Sequence, residues 1–134
     1  MAIWGIGAMY GKKDVTIDFI NNKVACLGWS KEEAPSLYEM IKNVNVGDII
    51  YIKSFSPNVG LKVKAIGIVL DSEIKMISDS LGFGIKVNWL CNLNEHLTIH
   101  FNETIYRNNV YNNSLYEEFN VIIRNAILEE LFKK

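Results

Sequence analysis

The sequence has few of the features that usually announce a function. Its 134 residues hold two cysteines, Cys26 and Cys91, which match no metal-ligand spacing and sit in apolar runs. Buried free thiols are the expectation, and they suit a reducing compartment. The two histidines, His96 and His100, stand four apart in strand-like sequence without a third ligand nearby, so no zinc site is expected. The net charge is −1, which gives no global basic field to attract nucleic acid. No apolar run approaches ~20 residues, and no basic stretch precedes an apolar core at the N-terminus. Neither a membrane span nor a signal peptide is expected, and the chain reads as cytoplasmic. There is no Walker-type loop and no dinucleotide fingerprint. Asp14, Asp18 and Asp48 make no recognisable acid–base pair, and neither cysteine has a histidine placed to activate it. Nothing positive points to catalysis, to a cofactor or to a metal.

What is present is a single domain's worth of core, at 49% hydrophobic and 22% charged residues. The organising stretch runs from Val46 to Val69. Gly47-Asp48 is a turn signal, Ile49 to Ser54 a β-branched and aromatic strand, residues 56–60 a loop, and Leu61 to Leu70 a second, antiparallel strand. Before it, Ala2 to Ala8 reads as a strand in which Gly5 and Gly7 leave one face nearly bare. Val15 to Ile20 alternates like a strand but also fits a short helix; Asn21-Asn22 makes a natural exit and favours the helix. A short strand follows from Val24 to Leu27. Ser30 and Glu33 have capping-box spacing, while Pro35 suits a first helical position. A helix is expected from Pro35 to about Asn43, with Leu37, Met40, Ile41 and Val44 inward.

After the central pair, residues 71–81 read as a connection and Ile85 to Cys91 as a strand carrying Ile85, Val87, Trp89 and Cys91 on one face. A turn over 92–95, a strand from Leu97 to Phe101, and an asparagine-rich loop over 102–113 with Tyr106, Arg107 and Tyr111 come next. A helix is expected from about Ser114 to Phe132. One wide face gathers Leu115, Tyr116, Phe119, Ile122, Ile123, Ala126, Ile127 and Leu131. Val121, Leu128 and Phe132 form a second stripe, read either as wedged into a groove or as a homo-oligomer contact.

The order of these elements resembles the PUA-like superfamily of small β-barrels, especially its EVE and ASCH branches. The resemblance rests on Trp4 in the opening strand, Val46-Gly47-Asp48-Ile49-Ile50-Tyr51 with Lys53-Ser54, the Ala65-Ile66-Gly67-Ile68-Val69 strand, and Ile85-Lys86-Val87-Asn88-Trp89. It covers residues 2–91. It implies an α+β fold, a mixed β-barrel with peripheral helices and a C-terminal helix. It also implies a non-catalytic module that takes a nucleobase, modified or not, or a nucleotide in a pocket at one barrel face. Such modules occur in modification-dependent restriction systems, which places the expected biology in nucleic-acid recognition and bacterial or phage defence. One departure stands out: EVE domains usually follow the first strand with a Lys/Ser-Glu-Pro loop, and here Ala8-Met9-Tyr10-Gly11 replaces it.

The residues expected to meet a ligand follow from position and chemistry. Trp29, beside Gly28 at a strand end, is the first candidate for stacking on a base, with Tyr10 and Phe55 beside it. Ser54 and Asn88 are candidates for its polar edge, and Lys53, Lys12 and Lys13 for phosphate. Lys62 and Lys64 share a strand face by alternation and either join that patch or coat an outer surface. Trp89 alternates with core residues and Trp4 is ambiguous. The competing readings are a holder of a free nucleotide-type signal and a protein–protein interaction module.

Overall fold

The computed structural model describes residues 1–56, 60–99 and 114–133, without the side chains of residues 55, 56 and 94–96. The elements in chain order are β1 (Ile3–Gly7), β2 (Met9–Tyr10), β3 (Lys13–Asp14), α1 (Thr16–Asn22), β4 (Val24–Cys26), α2 (Pro35–Ile41), β5 (Ile49–Ser56), β6 (Gly60–Ser78), β7 (Gly82–Ile99), β8 (Leu115–Glu117) and the C-terminal helix α3, Val121–Leu131. The fold is therefore mixed α+β, dominated by sheet and flanked by three helices among the described residues.

Six strands form one sheet in the order β4-β7-β6-β5-β1-β8, and β2 and β3 form a separate small hairpin. β1 and β5 are parallel, with Trp4 opposite Ile50, while the other pairs are antiparallel. The expected closed barrel is not what the described pairings make: β4 and β8 remain edges. Helix α2 packs against β8, and its Tyr38 and Ile41 belong to the core cluster that also holds Leu115 of β8 and Ala25 of β4. The chain just past β1 reaches the chain just past β4, so closely that a Cβ on Gly28 would stand 2.6 Å from the Tyr10 ring.

The sheet has two covered faces. On one, Trp4, Ile6, Ile50, Ile52, Val69, Ile85 and Val87 pack with Phe19 of α1 and Tyr38 and Ile41 of α2. On the other, Ile3, Ile49, Tyr51, Leu61, Val63 and Ile66 pack under Ile123 and Ile127 of α3. Alternation along β1 and β5 puts successive residues on opposite faces, and covering both explains why those strands are nearly continuous hydrophobic runs.

Several expectations change here. The stretch 71–78 is no connection; it continues β6 into a long hairpin with β7, and residues 92–95 stay within β7. Repeated register shifts bend that hairpin. One of them leaves Leu90 unpaired between Trp89 and Cys91, which flips Cys91 to the α3 face while Trp89 keeps the other. The Trp89 indole donates to the Val24 carbonyl at 3.0 Å.

Helix α1 forms as expected. In α2, Pro35 takes the first turn and Tyr38 replaces Met40 on the inner face. Ser30 and Glu33 make a reciprocal capping box at 3.1 and 3.0 Å around the single turn that precedes it. Residues 115–117 are a strand, and α3 begins only after Asn120, whose side chain accepts from the amides of Ile122 and Ile123. The stripe read either as wedged into a groove or as a homo-oligomer contact is consequently split. Leu128 packs on the core, while Val121 and Phe132 stay exposed. The loop over 102–113, His100 and the His96 side chain lie outside the described residues.

Candidate functional site

The strongest site geometry gathers where the β2–β3 hairpin, the end of β4 and the β6–β7 turn meet. After Cys26 the chain turns through Gly28 at φ +78°, a conformation that favours glycine. The same residue is pressed by the Tyr10 ring, so a side chain at position 28 is excluded twice. Tyr10 is fixed in turn. Its hydroxyl donates to the Leu81 carbonyl at 2.7 Å, and its ring meets Phe19 edge-on at 6.4 Å. Burial, then the neighbouring Cys26 and Tyr38, pushes the Tyr10 phenol far above its ordinary pKa, so it stays a neutral donor.

Trp29 follows on this support. Its carbonyl accepts a 2.7 Å bond from the Tyr38 hydroxyl, and Tyr38 packs edge-on against Phe83 at 6.1 Å. The backbone is thus pinned from α2 on one side and bounded by the capping box on the other. The side chain is nevertheless 51% exposed. An indole held out in solvent on an anchored backbone has much apolar surface to offer and little backbone entropy left to lose on binding.

Lys12 and Lys13 are exposed on the hairpin that carries Tyr10. Asp14 ties this hairpin to the sheet. Its carboxylate accepts from Lys64 Nζ at 2.8 Å and from the Thr16 hydroxyl and amide at 2.6 and 2.9 Å. Lys64 is therefore no outer-surface charge. It is the residue bulged out between Val63 and Ala65 against β5, and this turns it off the alternation shared with Lys62. Burial alone raises the Asp14 pKa, but Lys64 and Thr16 outweigh it and bring it down to about 2. A carboxyl depressed in the folded state stabilises above its unfolded value near 4 and loses that contribution as pH falls through the folded one. Urea denaturation between pH 5 and pH 2 should show an acid-side loss of stability that is smaller in Asp14→Asn than in the parent. An equal loss in both would remove Asp14 as its source.

The other candidates are not brought to this place. Lys53 lies on the α3 face, its ammonium 5.9 Å from the centre of the Tyr116 ring, and burial pulls its pKa down to about 8. Ser54 pairs with Lys62, whereas Asn88 pairs with Ile68, so the two meet β6 at points about 20 Å apart. Asn88 also lies beyond the start of β4, away from the end that leads to Trp29. The Phe55 side chain lies outside the described residues. Trp4 is buried, with its indole bonded to Asp48. Sequence reasoning missed Tyr38, Leu81 and Phe83 as supports. The capping-box spacing was the available signal, because it marks a tight turn just behind Trp29.

Among the described residues no group of three His, Cys, Asp or Glu is placed to hold a metal ion, and no helix is long and apolar enough to cross a membrane. Compared with protein-family models and with curated proteins, the chain matches neither.

Proposed function

We propose that this is a PUA-like domain that binds a nucleobase or nucleotide, with Trp29 as the stacking surface. The observation that carries the reading is the half-exposed Trp29 ring on a backbone held by Tyr10, Tyr38 and Gly28. The mixed sheet with its parallel β1–β5 pair, long bulged hairpin and flanking helices is compatible with such a domain. Tyr10 acts as a support for the backbone at Gly28, one residue before Trp29, rather than as the second half of a clamp. Lys12 and Lys13, exposed on the hairpin that carries Tyr10, are the cations offered for phosphate. Ser54, Asn88 and Lys53 drop out of the contact set on grounds of distance and face. The setting would be nucleic-acid recognition or defence in the cytoplasm.

Stacking on an aromatic face is worth about 1–3 kcal/mol per base. Trp29→Ala should therefore weaken binding of short single-stranded oligonucleotides by up to about 100-fold. Its melting temperature should stay close to that of the parent, because half the ring is already in water. Fluorescence titration and thermal melting read the two effects. A folded Trp29→Ala protein with undiminished affinity would discard the site. Salt dependence separates polymer from free nucleotide, since contacts to a backbone weaken steeply with added salt.

A further inference from the structure

A second place in the molecule is built for a ligand of different chemistry. Between the α2–β5 loop, β1 and the segment joining β8 to α3 lies a cavity of about 540 Å³, well within the range of small-molecule sites. Its wall carries Asn43, Asn45, Asp48, Glu117, Phe119 and Arg124. Asp48 is fully engaged, accepting from the Ala2 and Asn45 amides and the Trp4 indole. The other polar groups are not. Arg124 spends one guanidinium N–H on the Glu118 carbonyl at 3.0 Å, which orients it, and is also attracted by the Glu118 carboxylate, but makes no salt bridge within 4 Å among the described residues. The Glu117 carboxylate and the side-chain amides of Asn43 and Asn45 have no hydrogen-bond partner among those residues.

Glu117 and Arg124 line the same cavity, yet no ion pair joins them. Opposite charges that face one space without meeting are arranged to be bridged. The rim adds Phe119, 68% exposed, as an apolar contact. The N-terminal ammonium of Met1 lies beside Asp48, so two carboxylates face two cations. With no net positive charge the space does not favour a phosphate dianion, whereas a ligand neutral overall but charged at both ends suffers no such penalty. The geometry points to a site for a zwitterionic amino compound, an α-amino acid or dipeptide with an apolar side chain. Its ammonium meets Glu117, its carboxylate meets Arg124, and its side chain lies on Phe119. The two asparagine amides are placed to serve remaining polar groups.

The test uses the intact chain and leaves the protein unaltered in its first arm. L-leucine and L-leucyl-L-leucine are titrated with observation of the Trp4 indole N–H and the Asn43 and Asn45 side-chain amides by two-dimensional NMR. At least one should give a saturable shift at these groups, and which one does sets the span between the charges. N-acetylation or C-terminal amidation of that ligand should each weaken binding about tenfold, the size of one lost charge-assisted hydrogen bond. In the second arm, Glu117→Gln should abolish the discrimination against the N-acetylated form while keeping that against the amidated form. Lack of any saturable shift with either zwitterion overturns the proposal. So does equal binding of the blocked forms, discrimination unchanged in Glu117→Gln, or displacement by adenosine or guanosine monophosphate at lower concentration.

Discussion

Asp48→Ala is expected to lower the unfolding free energy by about 3–5 kcal/mol, because it strands three donors at once. The carboxylate is 4% exposed and accepts from the Ala2 amide at 3.1 Å, the Trp4 indole at 3.0 Å and the Asn45 amide at 2.9 Å. Those three groups belong to the residue just before β1, the largest core residue of β1 and the turn into β5. One side chain therefore sets the register of the parallel pair, which no hairpin can set. Burial pushes this carboxyl up, but the three donors more than offset it and its folded pKa is lowered. Its contribution is present above the unfolded value near 4 and disappears as pH falls through the lowered folded value. Urea denaturation should thus show a large gap between parent and Asp48→Ala at pH 7 that narrows in acid. Asp48→Asn keeps one acceptor oxygen and should fall between them. A parent and Asp48→Ala within 1 kcal/mol of each other at pH 7, a gap far below the unsatisfied-donor cost, would contradict this account.

The second large effect is at Gly5, where the sign is informative. In an open strand, alanine is worth roughly 0.5–1 kcal/mol more than glycine. Here a Cβ would stand 2.5 Å from Tyr116 Cζ, 2.6 Å from its hydroxyl and 2.9 Å from Tyr51 Cζ. Both rings are buried, and their hydroxyls bond at 2.8 Å, with Tyr51 also donating to Glu118 at 2.8 Å. The rings have no solvent to swing into. Gly5→Ala should destabilise by about 3 kcal/mol, combining overpacking with a disturbed buried hydrogen-bond chain. Thermal melting and the near-ultraviolet tyrosine dichroism would register it. A stabilised Gly5→Ala protein would show that the tyrosine pair is not packed on this glycine.

Gly5 also shows what was legible in the sequence. The bare face of β1 was readable, but its purpose was not, since Tyr51 and Tyr116 lie 46 and 111 residues further along. Local chemistry was read well: Ser30 with Glu33, Pro35 at a helix start, and the α1 helix over a competing alternation. The lengths of β6 and β7 were missed because bulges break alternation, so the pattern mimics a loop. Lys64 and Cys91 were put on the wrong faces for the same reason. Residues 115–117 have apolar spacing that suits a helix, and only pairing with β1 decides otherwise. The Asn120 cap was the overlooked local signal. At the candidate site, position next to Gly28 pointed to Trp29, which the structure leaves half exposed. Tyr10, expected beside it as a stacking ring, is instead packed against Gly28 and bonded to Leu81. Ser54 and Asn88 were misjudged because strand register cannot be counted through unseen bulges.

The position of β1 has a consequence for biosynthesis. It comes first in chain order among the described strands, yet both its partners come later, β8 last of all. A growing chain can pair one edge of β1 only after β5 has been made, and the other only after β8, more than a hundred residues beyond β1. Completion of the sheet around β1 accordingly waits for β8, and the interval before it is when a holding chaperone would matter most.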